Sequence, residues 1–118
     1  QVEPVATAQD LLDLQAAVSS LRVDDQVAAY AVRIARTTRD WPGIALGAGP
    51  RGSIALLRAA RAMALLAGRD FVLPDDVKAV ALPALRHRIT ATAESEIEGH
   101  TIDALLAALL ERVEAPRQ

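Results

Sequence analysis

The chain has 118 residues, 52% of them hydrophobic, with a formal net charge of −2 and no cysteine. That length holds one core and one domain; the missing thiols exclude disulfide scaffolds and thiolate metal sites, and they fit a reducing compartment such as the cytoplasm. Trp, Tyr, Phe and Met occur once each, so the core is aliphatic; no apolar run is long enough to span a bilayer, and nothing at the start resembles a signal peptide.

Alanine and leucine abound and β-branched alternation is scarce, which predicts an all-α fold: a compact bundle of about five helices with at most one minor strand pair. Residues 1–6, with Pro4 among them, read as a linker, residues 7–114 as the helical domain, and residues 115–118 as a frayed tail. The chain opens on Gln1, as a piece of a longer protein would. Thr7 is expected to cap a first helix over about 8–19, with Leu11, Leu14, Val18 and Leu21 at helical spacing. Leu21-Arg22-Val23 alternates and reads as a very short strand. Asp24 caps a second helix whose inner face is Val27, Tyr30, Ala31, Ile34 and Ala35.

Trp41 to Gly49 read as a loop, with Pro42-Gly43 as its turn. Pro50 then starts a central helix, where a missing N–H costs nothing, and Gly68 ends it. Between Ile54 and Ala67 the only charges are Arg58 and Arg61, so this helix is expected to be buried over most of its circumference. Phe71-Val72-Leu73 is a second extended piece able to pair with Leu21–Val23. Pro74-Asp75-Asp76 opens another helix, and Pro83 is expected to break or bend it. Ile89 to Gly99 reads as extended or irregular. Thr101 caps the last helix, with Ile102, Leu105, Leu106, Leu109 and Val113 turned inward.

Charge is unevenly spread. Residues 33–88 hold ten Lys or Arg against four Asp, a surplus of six positive charges between acidic flanks. Such a segment suits an anionic ligand or an acidic protein neighbour, although mixed helical surfaces alone also produce it. Within it, Arg51 stands in the first turn of the central helix, behind Gly47-Ala48-Gly49-Pro50. Helix mouths favour anions, and a guanidinium there grips phosphate with a fork of donors. Arg51, with Gly49 and Pro50 beside it, is therefore the candidate anion-binding residue. Arg58 and Arg61 fall on roughly one stripe with it, and they either extend that contact or meet acids on a neighbour.

No catalytic constellation is complete. There is no G-x-x-x-x-G-K-[ST] loop, and Lys78 is the only lysine. His87 and His100 lack the acidic company of a metal site, so no metal is expected; His87 reads as a hydrogen-bonded helix-end residue. Ser53 lacks a nucleophile's context. Asp24-Asp25 and Asp75-Asp76 sit at helix starts, where capping explains them.

Several ordered motifs carry a resemblance: Gly47-Ala48-Gly49-Pro50-Arg51, Leu56-Leu57-Arg58-Ala59-Ala60, Gly68-Arg69-Asp70-Phe71-Val72-Leu73-Pro74-Asp75-Asp76-Val77 and Leu85-Arg86-His87-Arg88-Ile89. Together with Thr38-Arg39 and the Val23-Asp24-Asp25…Tyr30 run, they resemble the C-terminal lid domain of the MoxR-type AAA+ ATPases, over about residues 5–113. The resemblance implies that Arg51 is a sensor-2 arginine reaching to ATP and Mg held by an α/β core outside this sequence, to which residues 1–6 lead. It implies a homo-hexameric ring in which nucleotide state moves the lid against the core, with chaperone-like remodelling of client proteins and a von Willebrand factor A-type partner. Gly49 replaces the family's usual serine and Leu73 its threonine or serine, each a lost hydroxyl cap. The Walker elements and arginine finger are absent, so the chain alone is expected to hydrolyse nothing, its parent being the ATPase.

Two other readings stay open: a helical nucleic-acid-binding domain, and a protein-interaction bundle, both using the basic middle segment. Acidic flanks and scarce aromatics for base stacking weigh against nucleic acid.

Overall fold

A computed structural model describes residues 8–116, without the side chains of residues 14 and 17–20. Its element order is α1 (Ala8–Ser20), α2 (Asp25–Thr37), β1 (Ile44–Leu46), α3 (Gly49–Leu66), α4 (Pro74–Leu85), β2 (Thr90–Ala91), α5 (Ala93–Ile97) and α6 (Ile102–Arg112). The expected Thr7 cap and the inward positions Leu14 and Val18 lie outside what is described. Leu11, expected on the inner face of α1, is instead exposed. α1 packs on α3 alone among the larger helix pairings.

The second helix follows its sequence pattern residue for residue. Val27, Tyr30, Ala31, Ile34 and Ala35 are all buried, and the Asp24 carboxylate accepts the Gln26 N–H at its start. These side chains meet Leu56, Ala60 and Ala64 of α3, Val77, Ala81 and Leu85 of α4, and Leu106 and Leu109 of α6 in one aliphatic core. α3 runs between α2 and α4 and touches both. It is less enclosed than its composition predicted. Gly52, Leu56, Ala60 and Ala64 form a single buried stripe, while Ile54 and Leu66 are exposed. Neighbours cover one side of this helix only, so apolar content along its sequence overstates its burial.

Three further details depart from expectation. α4 continues through Pro83 to Leu85, and the Arg86 N–H still reaches the Leu82 carbonyl. Proline there removes one donor near the end of the helix, and both Pro83 and Ala79, whose carbonyl loses that bond, face solvent. Residues 93–97 form a short sixth helix, α5, capped by the Thr92 hydroxyl on the Ser95 N–H. The two-stranded antiparallel sheet is β1 with β2, Ile44 opposite Ala91 and Leu46 opposite Thr90. The expected pairing of Leu21–Val23 with Phe71–Leu73 is present as one parallel bridge, Arg22 to Phe71, with the Val72 N–H bonded to the Arg22 carbonyl at 3.1 Å.

Candidate functional site

The loop from α2 to α3 is anchored before the central helix begins. Thr38, fully buried at the end of α2, donates its hydroxyl to the Ala35 carbonyl and accepts the Ala48 N–H at 2.9 Å. Gly47 lies so close that a Cβ would sit 2.9 Å from the Arg39 backbone. Gly49 then takes φ +71, a left-handed turn that swings the chain into α3. A serine at 49 would be strained there, so the glycine is a conformational requirement rather than only a lost cap. Leu73 likewise caps nothing with its side chain; the Asp76 carboxylate instead accepts the Leu73 N–H at 2.8 Å.

Gly52 packs its backbone against Ala48, Leu85 and Ala35, and Arg51 emerges on the opposite, exposed side of this first turn. Pro50 removes one amide from the helix mouth, and the Arg51 guanidinium adds charged donors to the amides that remain. Among the described residues Arg51 has neither a hydrogen bond nor an ion pair. Its basic neighbours differ. Both terminal guanidinium nitrogens of Arg69 grip Asp76 at 2.7 Å, Arg86 holds Asp103 at 3.0 and 3.1 Å, and Arg33 donates to the Glu114 carbonyl at 3.0 Å. The Arg69 fork holds the Asp76 carboxyl below the usual carboxylate range against the opposing effect of burial, with the Leu73 N–H assisting.

Arg51 opens onto a groove of about 580 Å³ between α3 and α4. Arg58 and Arg88 line it too, over a floor that includes Ile54 and Ala84. Gly49 and Pro50 line a different, smaller cavity of about 260 Å³ on the α2 side, together with Arg36 and Arg39. The three residues picked from the sequence therefore share one helical turn but not one cavity. Arg58, seven residues on, returns to the side of Arg51; Arg61, ten residues on, falls about 80° away. Arg61 does not line the groove, and its Nε is buried without a hydrogen-bond partner. Arg88 was passed over because it is distant in sequence and belongs to the turn after α4. Its signals in the sequence were membership of the basic middle segment and of the Leu85–Ile89 motif.

His87, expected to be hydrogen-bonded, is exposed and has no such bond among the described residues. The described residues hold no group of three or more potential metal ligands, and no helix among them is long and apolar enough to cross a membrane.

Comparison with known proteins agrees with this architecture. Residues 36–109 match the family model of the AAA lid domain. Chaperone MoxR1 of Mycobacterium tuberculosis is 31% identical over 99% of this chain and 33% of its own length. The uncharacterized protein YeaC of Bacillus subtilis is 41% identical over 99% of this chain and 37% of its own length. The chain thus spans about a third of the curated relatives it matches. A crystal structure from Cytophaga hutchinsonii, assigned as an ATPase, superposes with a TM-score of 0.90 at 29% identity, over 99% of this chain and 38% of that one. The chain belongs to the AAA lid domain family, as a lid domain of the MoxR-like AAA+ ATPases.

Proposed function

We propose that this domain supplies Arg51 to ATP bound, with Mg, by an α/β core of the same protein, and that it acts as the sensor-2 arginine. The observation that carries this reading is the placement of Arg51, exposed and without an ion pair on a first turn braced by the Thr38–Ala48 bond and the close packing of Gly52. The braced turn fixes the backbone beneath Arg51, so what its guanidinium gives up on meeting a phosphate is side-chain rotamer freedom. Arg51 fits a γ-phosphate contact. Gly49 and Pro50 shape the turn, and no cluster among the described residues suits Mg. On this reading the core holds Mg.

On this reading the lid follows the nucleotide state of the core. A subunit ring, homo-hexameric in the family resembled, passes that movement to client proteins in the cytoplasm, in chaperone-like fashion and with a von Willebrand factor A-type partner. The test is Arg51→Ala in the complete protein. ATP turnover should fall by about tenfold or more, the size expected when a charge-assisted hydrogen bond to the reacting phosphate is removed, with helical content and melting unchanged. Wild-type turnover in that variant refutes the sensor role.

A further inference from the structure

We propose that Arg58 and Arg88 act with Arg51 as a three-point clamp on a nucleotide's triphosphate, so that the α3–α4 groove forms one wall of the phosphate site. This rests on the reading of Arg51 given above and extends it to two residues that the reading does not need. Three observations support it. All the charged side chains lining the groove are arginines, and no carboxylate lines it. None of the three guanidinium groups has a hydrogen bond or ion pair among the described residues, and all three residues are exposed. Arg86, two residues from Arg88, is held by Asp103, and Arg69 is held by Asp76, so carboxylates capture arginines on either side of this groove but not within it.

Like charges gathered on one face raise one another's energy, and a polyanion relieves that repulsion. Arg51 and Arg58 start about 10 Å apart along the helix. Their long side chains can close from both ends onto a phosphate chain, and Arg88 approaches from the far wall. A single carboxylate would satisfy only one of the three. The groove is also open on one side, as a wall completed by another domain would be. Its floor includes the apolar side chains of Ile54, Ala59 and Ala84.

The test uses this 118-residue chain, titrated with inorganic tripolyphosphate and with ATP at low salt and followed by amide NMR shifts. Wild-type protein should bind both weakly, and binding should fade as salt rises. Arg58→Ala and Arg88→Ala should each weaken binding about tenfold, the loss of one charge-assisted contact, while Arg112→Ala should leave it unchanged. Circular dichroism confirms that each variant is folded. Two results overturn the clamp: unaltered binding in the Arg58→Ala/Arg88→Ala double variant, or a glutamate peptide binding as tightly as tripolyphosphate, which makes the groove a docking surface for acidic protein. Failure here is separable from failure of the sensor reading. If Arg51→Ala abolishes turnover in the complete protein while the double variant binds normally, the sensor role survives and the clamp does not. If the double variant loses binding while Arg51→Ala turns over normally, the sensor role fails and the groove is left as a polyanion site without the three-point clamp on the reacting nucleotide.

Discussion

Gly52→Ala is the substitution that helix propensity and packing judge oppositely. Inside a helix, alanine is favoured over glycine by about 1 kcal/mol. Here the added methyl would sit 2.5 Å from the Ala48 Cβ and 3.3 Å from Leu85 Cδ2. Leu85 can yield by a small rotation. Ala48 cannot, because its Cβ is fixed to a backbone whose N–H is bonded to Thr38. Overpacking of this kind costs about 1–3 kcal/mol, and the rigid neighbour puts this case toward the upper end. The net expectation is destabilisation by about 1–2 kcal/mol. For a chain of 118 residues that lowers Tm by about 4–8 °C. Thermal and urea unfolding followed by circular dichroism measure it directly. Relief of the clash must also displace the turn that carries Arg51, so the Arg51 amide signal should shift while α6 signals stay in place. A higher Tm than wild type would refute the close approach of α3 to its own N-terminal loop, and with it the rigid placement of Arg51.

Restoring the family's serine with Gly49→Ser should destabilise the domain by about 1 kcal/mol, because φ +71 is left-handed and a side chain pays for it; a gain in urea midpoint would show that capping outweighs the strain. Asp76→Asn should cost about 2 kcal/mol at pH 7 by breaking the fork with Arg69. The Asp76 pKa is lowered on folding, so its contribution is complete above the unfolded carboxylate's value of about 4 and fades as pH falls through the folded value. Urea unfolding from pH 7 down to about 2 should show wild type and Asp76→Asn converging in acid; a constant gap would contradict the assignment.

The chain's local order was legible because short-range physics set it. Asp24 and Thr101 cap through bonds to amides two or three residues away, and the inner face of α2 repeats at the helical period, so each can be read from a few neighbouring letters. The turn at Gly47–Pro50 and the position of Arg51 on it were equally plain. Pro83 misled because proline's usual effect was weighed without knowing that the helix had only two residues left to run. The sixth helix escaped because five residues produce no detectable period.

By itself, the order of residues determined the all-helical class, the caps, the inner face of α2 and the cation at the opening of the central helix, since each depends on contacts within one or two turns. Tertiary structure alone decided which arginines are bound and which are free, that Arg88 joins Arg51 and Arg58 while Arg61 does not, and that Gly49 and Pro50 face a separate cavity. Those outcomes follow from how α2, α3 and α4 pack. Side chains far apart in sequence meet or miss by a fraction of a helical turn, which no local pattern encodes.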